Sequence, residues 1–292
     1  MTDSANDPVS KLGLGTVQFG LKYGISNTFG RTPGKEVQEI LRIAANEKIN
    51  LIDTASAYGI SEEVVGGILP KSHSFNIVSK FPSIGDSSVT SFFRQSCERL
   101  VVRSLYGYMA HQADELIANP GQWDELISLR ENGYVRKIGY SLYTLQQAEK
   151  LLSLGMIPDL VQVPYNVLDR RFEALFPELK KYNTEIHVRS AFLQGLFFVD
   201  PDTLPAFFDP LKPHLRSIRS QYPENSLLSG ALLYFCTDNR MIDRVIAGVN
   251  TTDQLLQNVR ALRAKPRLAG FHHAINIDEK VLLPYNWPVT EP

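Results

Sequence analysis

Apolar residues in this chain gather in short runs, with stretches of helical period between them. The runs are Leu12–Thr16, Asn50–Thr54, Asn76–Lys80, Leu105–His111, Lys137–Ser141, Leu160–Tyr165, Glu185–Ser190 and Val245–Val249. Several are apolar at consecutive positions, as in a parallel strand covered on both faces. Between them apolar residues return at helical spacing. Val37, Ile40, Leu41 and Ala44 do so after Thr32-Pro33, which reads as an N-cap and a first-turn proline. Val89, Phe92, Phe93 and Cys97 repeat the pattern, as do Leu145, Ala148, Leu151 and Leu152, and later Leu255, Leu256, Val259 and Leu262. Eight strands separated by helices predict an α/β fold, a closed (β/α)8 TIM barrel more than an open sheet. No linker divides the chain, so residues 1–292 read as one domain, with a flexible N-terminus over 1–9 and a C-terminal tail over 270–292. The stretch Val199–Pro223 carries five prolines and reads as a loop plus one helix after the seventh strand.

Composition narrows the picture. Hydrophobic residues make up 43% of 292 and charged residues 21%, which suits a globular protein with a large core. The net charge of −1 offers no broad basic field, so neither nucleic acid nor an anionic membrane is an expected partner. No run approaches the roughly 20 apolar residues of a membrane helix. The polar, acidic start Met1–Pro8 lacks the regions of a secretory signal. A cytoplasmic protein is expected, with Cys97 and Cys236 reduced and the chain a monomer or weak homo-oligomer.

Barrel chemistry sits at the C-terminal strand ends. There the chain places Asp53, Lys80 and His111, with Tyr58 just after the second strand. Taken singly, each has an ordinary reading: a capping Asp, a snorkelling Lys, a half-buried Tyr, a loop or core His. Their order after consecutive strands gives the set its weight. His73 and His214 read as loop residues and His187 as a structural strand residue. The pair His272-His273 lacks metal-ligand spacing, and no metal is expected.

The sequence around these positions resembles the aldo-keto reductases. The resemblance rests on Leu12-Gly13-Leu14-Gly15-Thr16, on Asn50 through Gly59 (NLIDTASAYG), and on Ser61-Glu62 with Val65-Gly66. It continues through Ser79-Lys80, His111, Gly139-Tyr140-Ser141, Gln162, Tyr165-Asn166, Ser190 with Gln194-Gly195-Leu196, and Asn258. It spans nearly the whole chain, and Asp53 to Gly66 is its most specific part. It implies an oxidoreductase that reduces an aldehyde, ketone or open-chain sugar carbonyl, with hydride from a nicotinamide. Tyr58 would be the general acid, its pKa drawn down toward neutrality by Lys80. Asp53 would hold Lys80, and His111 would donate a hydrogen bond to the substrate oxygen.

For the cofactor, NADPH is the implied molecule and NADH the alternative. The start Gly13-x-Gly15 is not a dinucleotide fingerprint, because Gln18 stands where its third glycine belongs. Gly15, Thr16 and Gln18 are instead candidate nicotinamide-side contacts, and Ser141 and Gln162 match positions that bind the carboxamide. Leu142 replaces the usual Asn. Arg189 stands where an aromatic often stacks, and a guanidinium there would favour the neutral reduced ring. Ser190, Phe192, Leu193 and Gly195 would line the pyrophosphate loop. The adenosine end falls to Gly248, Asn250, Gln254, Gln257 and Asn258, where neutral residues replace the basic group that usually grips a 2′-phosphate. Phe19, Tyr23, Phe81, Gln112 and Phe192 are candidate pocket residues, together with the polar Arg189, and the polar members tilt the expected substrate toward a hydroxylated or acidic one. The tail Tyr285–Pro288 either folds over the mouth or packs outside the barrel. Two other classes remain open: an NAD-dependent sugar or alcohol dehydrogenase, and a slow-turnover NADPH-binding regulatory subunit.

Overall fold

A computed structural model describes residues 7–70, 72–271 and 273–288. The second histidine of the 272–273 pair is described; His272, the first six residues and the last four lie outside the described residues. Eight parallel strands close into a barrel in sequence order: β1 Leu12–Gly15, β2 Leu51–Asp53, β3 Asn76–Phe81, β4 Leu105–Ala110, β5 Val135–Ser141, β6 Leu160–Pro164, β7 Glu185–Arg189 and β8 Arg244–Gly248, with β1 pairing β8. All eight runs read from the sequence are strands.

The strand pleat decides what the barrel holds. Leu51, Val78, Met109, Leu160 and Ile246 form one buried layer near its floor. A side chain two positions further along a strand shares its face. The next layer up is therefore Asp53, Lys80, His111, Gln162 and Gly248, with Gly15, Ser141 and Arg189 following Gly13, Gly139 and His187 in the same phase. Register keeps these strand ends level: Gly15 pairs with Asp53, Asp53 with Val78 and Lys80 with Met109. Gly13 is small because a Cβ there would lie 2.7 Å from the Ile246 Cδ1 atom.

The alternate strand residues face the helices. Ile77 and Phe81 join the outer core, and Ser79 donates to the Glu62 carboxylate of the helix Ser61–Ile68 at 2.5 Å. Helix Gly34–Asn46 buries Val37, Ile40, Leu41 and Ala44, the stripe read from the sequence. Its start is displaced by one residue, since Pro33 is the N-cap. The Thr32 hydroxyl instead donates to the Asn250 carbonyl at 3.3 Å, tying the β1 loop to the β8 loop. Helix Leu145–Ser153 carries a full capping box from Thr144 and Gln147.

Between Val199 and Pro223 two single 3₁₀ turns precede one helix, Lys212–Gln221, and the barrel helix Asn225–Asp238 follows. A second core of Phe197, Phe208, Leu211, Leu232 and their neighbours lies here. The tail packs on it: the Trp287 ring meets Phe208 at 5.1 Å, and its indole N–H donates to the Val281 carbonyl. Tyr285 is left 65% exposed beside Tyr143 at a ring distance of 5.7 Å. The tail thus packs mainly outside the barrel, and Tyr285 reaches the rim. Cys97 and Cys236 are free thiols. No helix among the described residues is long and apolar enough to cross a membrane.

Candidate active site

At the C-terminal mouth the four polar residues singled out in the sequence come together. The Lys80 ammonium, fully buried, donates to Asp53 Oδ1 at 2.6 Å and to the Thr54 carbonyl at 2.9 Å. Asp53 is 3% exposed, and its second oxygen accepts from Gln162 Nε2 at 2.7 Å. The carboxylate is thus bracketed by a cation and an amide, which offsets the cost of burying it. Lys80 Nζ lies 5.2 Å from the centroid of the Tyr58 ring. The His111 ring meets Tyr58 edge-on at 5.5 Å. Tyr58 is positioned by its own backbone: its N–H donates to the Ala55 carbonyl, and its carbonyl accepts from Ser61 at the start of the next helix.

Electrostatics divides the roles. Burial, then the Lys80 and Arg189 charges, pulls His111 down to about 3, so its ring is neutral near pH 7 and holds one N–H to donate. Burial pushes the Lys80 ammonium down while Asp53 pulls it back up. The Tyr58 phenol moves upward, first through burial and then through the Asp53 charge, with Arg189 opposing. The expectation of a phenol drawn toward neutrality is therefore not met here. Desolvation dominates, and the nearby Asp53 charge adds to it. Tyr58 is a fully protonated donor at rest.

The depressed His111 has a measurable consequence. The unfolded imidazole titrates near 6.5 and the folded one near 3, so the unfolded chain binds the extra proton between those values. This contribution is whole above the unfolded pKa and is lost as pH falls through the window toward the folded one. Acid unfolding followed by circular dichroism should be shallower over that window in His111→Gln. An unchanged slope would place the acid sensitivity elsewhere.

Beside the four residues opens a cavity of about 490 Å³. Its walls include Gly15, Gln18, Asp53, Tyr58, Gln162, Arg189, Ser190, Phe192, Gly195, Gly248, Asn250, Gln254, Gln257 and Asn258. Three cofactor candidates stand apart from it: Thr16, Ser141 and Leu193, the last buried in the second core. The Thr16 hydroxyl, buried, donates to the Asp53 carbonyl and accepts from Ser61, locking β1 to the β2 end. Ser141 lies behind the wall, 1% exposed. Phe19 and Phe81 are fully buried core residues, not pocket residues, because each points to the helix side. Gln112 accepts from the Ser83 hydroxyl on an exposed rim. Three wall residues that sequence reasoning passed over, Asn225, Ser226 and Ser229, come from the start of the helix Asn225–Asp238. A Pro-Glu-Asn-Ser helix start after β7 was the available signal, since the segments after strands 7 and 8 commonly shape barrel anion sites.

The cavity fits a nicotinamide dinucleotide. Gln18 Oε1 and Asn250 Oδ1, on two of its wall residues, are buried without a partner, and so is the Ser141 hydroxyl behind the wall. A Cβ on Gly248 would come within 2.5 Å of the Gln18 amide, so glycine here leaves room for that side chain. The β7 loop runs through left-handed backbone at Ser190, Leu193, Gln194 and Gly195. It is held there by Asn166, whose amide donates to the Ser190 carbonyl, and by Ile25, whose N–H donates to the Gln194 carbonyl. Among the described residues no group of three or more His, Cys, Asp or Glu is placed to hold a metal.

The family model described as the aldo/keto reductase family matches residues 11–268. The chain belongs to the aldo/keto reductase family. This aldo/keto reductase is 27% identical over 179 residues to aldo-keto reductase YhdN of Bacillus subtilis, covering 56% of the chain and 52% of that protein. It is 27% identical over 207 residues to the chloroplastic pyridoxal reductase of Arabidopsis thaliana, covering 62% and 55%. The matches thus span about half the length of these curated relatives. Among solved structures, aldo-keto reductase AKR11C1 of Bacillus halodurans in its holo form aligns with a TM-score of 0.69 at 20% identity, over 96% of this chain and 93% of that one. Its apo form gives 0.66 at 21% identity, over 96% and 92%. These likenesses bear on the barrel fold.

Proposed function

We propose that this single-domain chain is an NAD(P)H-dependent carbonyl reductase that converts an aldehyde, ketone or open-chain sugar to the alcohol. The observation that supports it most is the convergence of the Asp53–Lys80 pair, Tyr58 and neutral His111 beside one polar cavity. A bound nicotinamide supplies the hydride. Tyr58 Oη gives its proton to the carbonyl oxygen as hydride reaches carbon, which leaves the phenolate facing the Lys80 charge. The high resting pKa of Tyr58 is no barrier in this direction, because the developing alkoxide is the stronger base. His111 donates a second hydrogen bond to the same oxygen, so its growing charge meets two placed donors. Ser141, Gln162 and Gln18 would hold the nicotinamide end, and Asn250, Gln254, Gln257 and Asn258 the adenosine end. A panel of aldehydes and sugars run with each cofactor tests this reading; no turnover of any would defeat it.

NADPH is the proposed cofactor, by family resemblance, but its preference should be modest. The Gln254 amide oxygen is committed to the Asn250 N–H at 2.8 Å, and Arg263 is held by Asp7 and Glu47. A second reading, use of NADH, is favoured by Glu36, whose carboxylate accepts from the Thr252 N–H at the start of the helix Thr252–Arg263. An acid there opposes a nearby 2′-phosphate. Gln254→Arg should sharpen selection for NADPH by about one to two powers of ten, the worth of one charge-assisted hydrogen bond. Titration of both cofactors against both proteins measures it; an unmoved ratio would remove Gln254 from the phosphate site.

A further inference from the structure

The mouth carries one charge that the proposed chemistry does not use. Lys80 is neutralised by Asp53, and His111 is neutral. Arg189 lies in the same inward phase of β7, two residues above His187, and lines the cavity with Tyr58 and Asp53. Among the described residues it forms no ion pair. Its polar partners are the Leu142 carbonyl at 3.1 Å and the Ser190 hydroxyl at 3.3 Å. A guanidinium has five N–H donors in a rigid fork, so most remain for something else.

The group is also held in place. Its Cζ sits 4.3 Å from the centroid of the Tyr143 ring, and that ring in turn meets Tyr285 of the tail at 5.7 Å. A stacked, flat guanidinium loses little freedom on binding and presents a bidentate edge. Its field reaches the reacting groups, where it lowers Tyr58 and disfavours charge on His111 and Lys80. A cation partly removed from water without a counter-charge is costly unless a ligand supplies one. The described residues lining the cavity offer no other cation that could do this work.

We propose that Arg189 is a specificity residue, and that the carbonyl substrate carries an oxyanion group, a carboxylate or a phosphate, which Arg189 grips while Tyr58 and His111 hold the carbonyl oxygen. This rests on the reductase reading above. It also gives Arg189 a different duty from stacking on the cofactor, and one set of measurements separates the two.

The full-length protein is assayed on matched pairs: 4-formylbenzoate against its methyl ester, and glyceraldehyde 3-phosphate against glyceraldehyde. The charged member of at least one pair should be favoured at least tenfold in kcat/KM, and the pair that responds identifies the anion. Arg189→Met should reduce that ratio by about one to two powers of ten, the loss of a charged hydrogen bond, with Arg189→Lys between. Cofactor affinity is titrated on the same proteins by fluorescence. A wild-type ratio near one in both pairs overturns the proposal. So does an Arg189→Met variant whose ratio is unchanged while its cofactor binding weakens, which would return Arg189 to the cofactor. If no aldehyde is turned over, the reductase reading fails, and calorimetry with terephthalate and inorganic phosphate still decides the site. Binding to wild type that is lost in Arg189→Met supports it, and equal binding or none contradicts it.

Discussion

Tyr58→Phe is expected to abolish carbonyl reduction while leaving cofactor affinity nearly as it was. The substitution deletes one oxygen and keeps the ring. The contacts that place the ring, edge-on to His111 and beneath Lys80, survive it. What disappears is the proton that must reach the substrate oxygen. General acid catalysis is commonly worth about 10²–10⁴-fold, and no neighbour replaces it here. His111 is neutral and in the proposed complex spends its single N–H on the substrate oxygen, and Lys80 is tied to Asp53 and Thr54. Steady-state rates with fluorescence titration of the cofactor separate the two effects. A fall of less than tenfold would take Tyr58 out of the acid role.

Lys80→Met should cripple both turnover and stability, and the two losses should come apart. Lys80 and Asp53 form a pair whose side chains are 0% and 4% exposed. Removing one partner of such a pair leaves a buried charge and costs about 3–5 kcal/mol. Removing both charges is far milder, because no buried charge is left unpaired. The double variant Asp53→Asn, Lys80→Met should therefore recover most of the melting temperature lost by Lys80→Met alone. It should not recover turnover, since the phenolate left by Tyr58 still lacks the Lys80 cation. Thermal unfolding and kcat, measured around the full double-mutant cycle, test this. Recovery of activity with stability would mean that Lys80 serves only the fold.

The pleat explains why so much of the site was legible in the sequence. Leu51-x-Asp53, Val78-x-Lys80, Met109-x-His111 and Leu160-x-Gln162 are each a buried apolar residue followed, two positions later, by a polar one at a strand end. Period two puts both inside the barrel, so the polar residues must share one mouth once the strands are assigned. What stayed hidden depends on contacts distant in sequence. Phe81 and Phe19 sit near the mouth in sequence, but they fall in the opposite phase or on a turn that the helices cover. Thr32 looked like a cap because local patterns ignore Asn250, more than two hundred residues away, which claims its hydroxyl. Glu36 gave no sign that it would meet Thr252. The upward shift of Tyr58 follows first from its burial and then from the Asp53 charge, which depend on the folded surroundings and not on residue order. Arg189 was visible as a departure from the aromatic usual at its position, but its seat on Tyr143 was not.

The most direct test of the account follows one atom. The full-length protein is given an aldehyde and reduced cofactor carrying deuterium at its transferring carbon, and the products are read by mass spectrometry and NMR. Direct reduction at the Tyr58 mouth predicts one alcohol per cofactor consumed, with the deuterium on the former carbonyl carbon and the hydroxyl proton drawn from solvent through Tyr58. Cofactor oxidised without alcohol, or alcohol without label at that carbon, would contradict it.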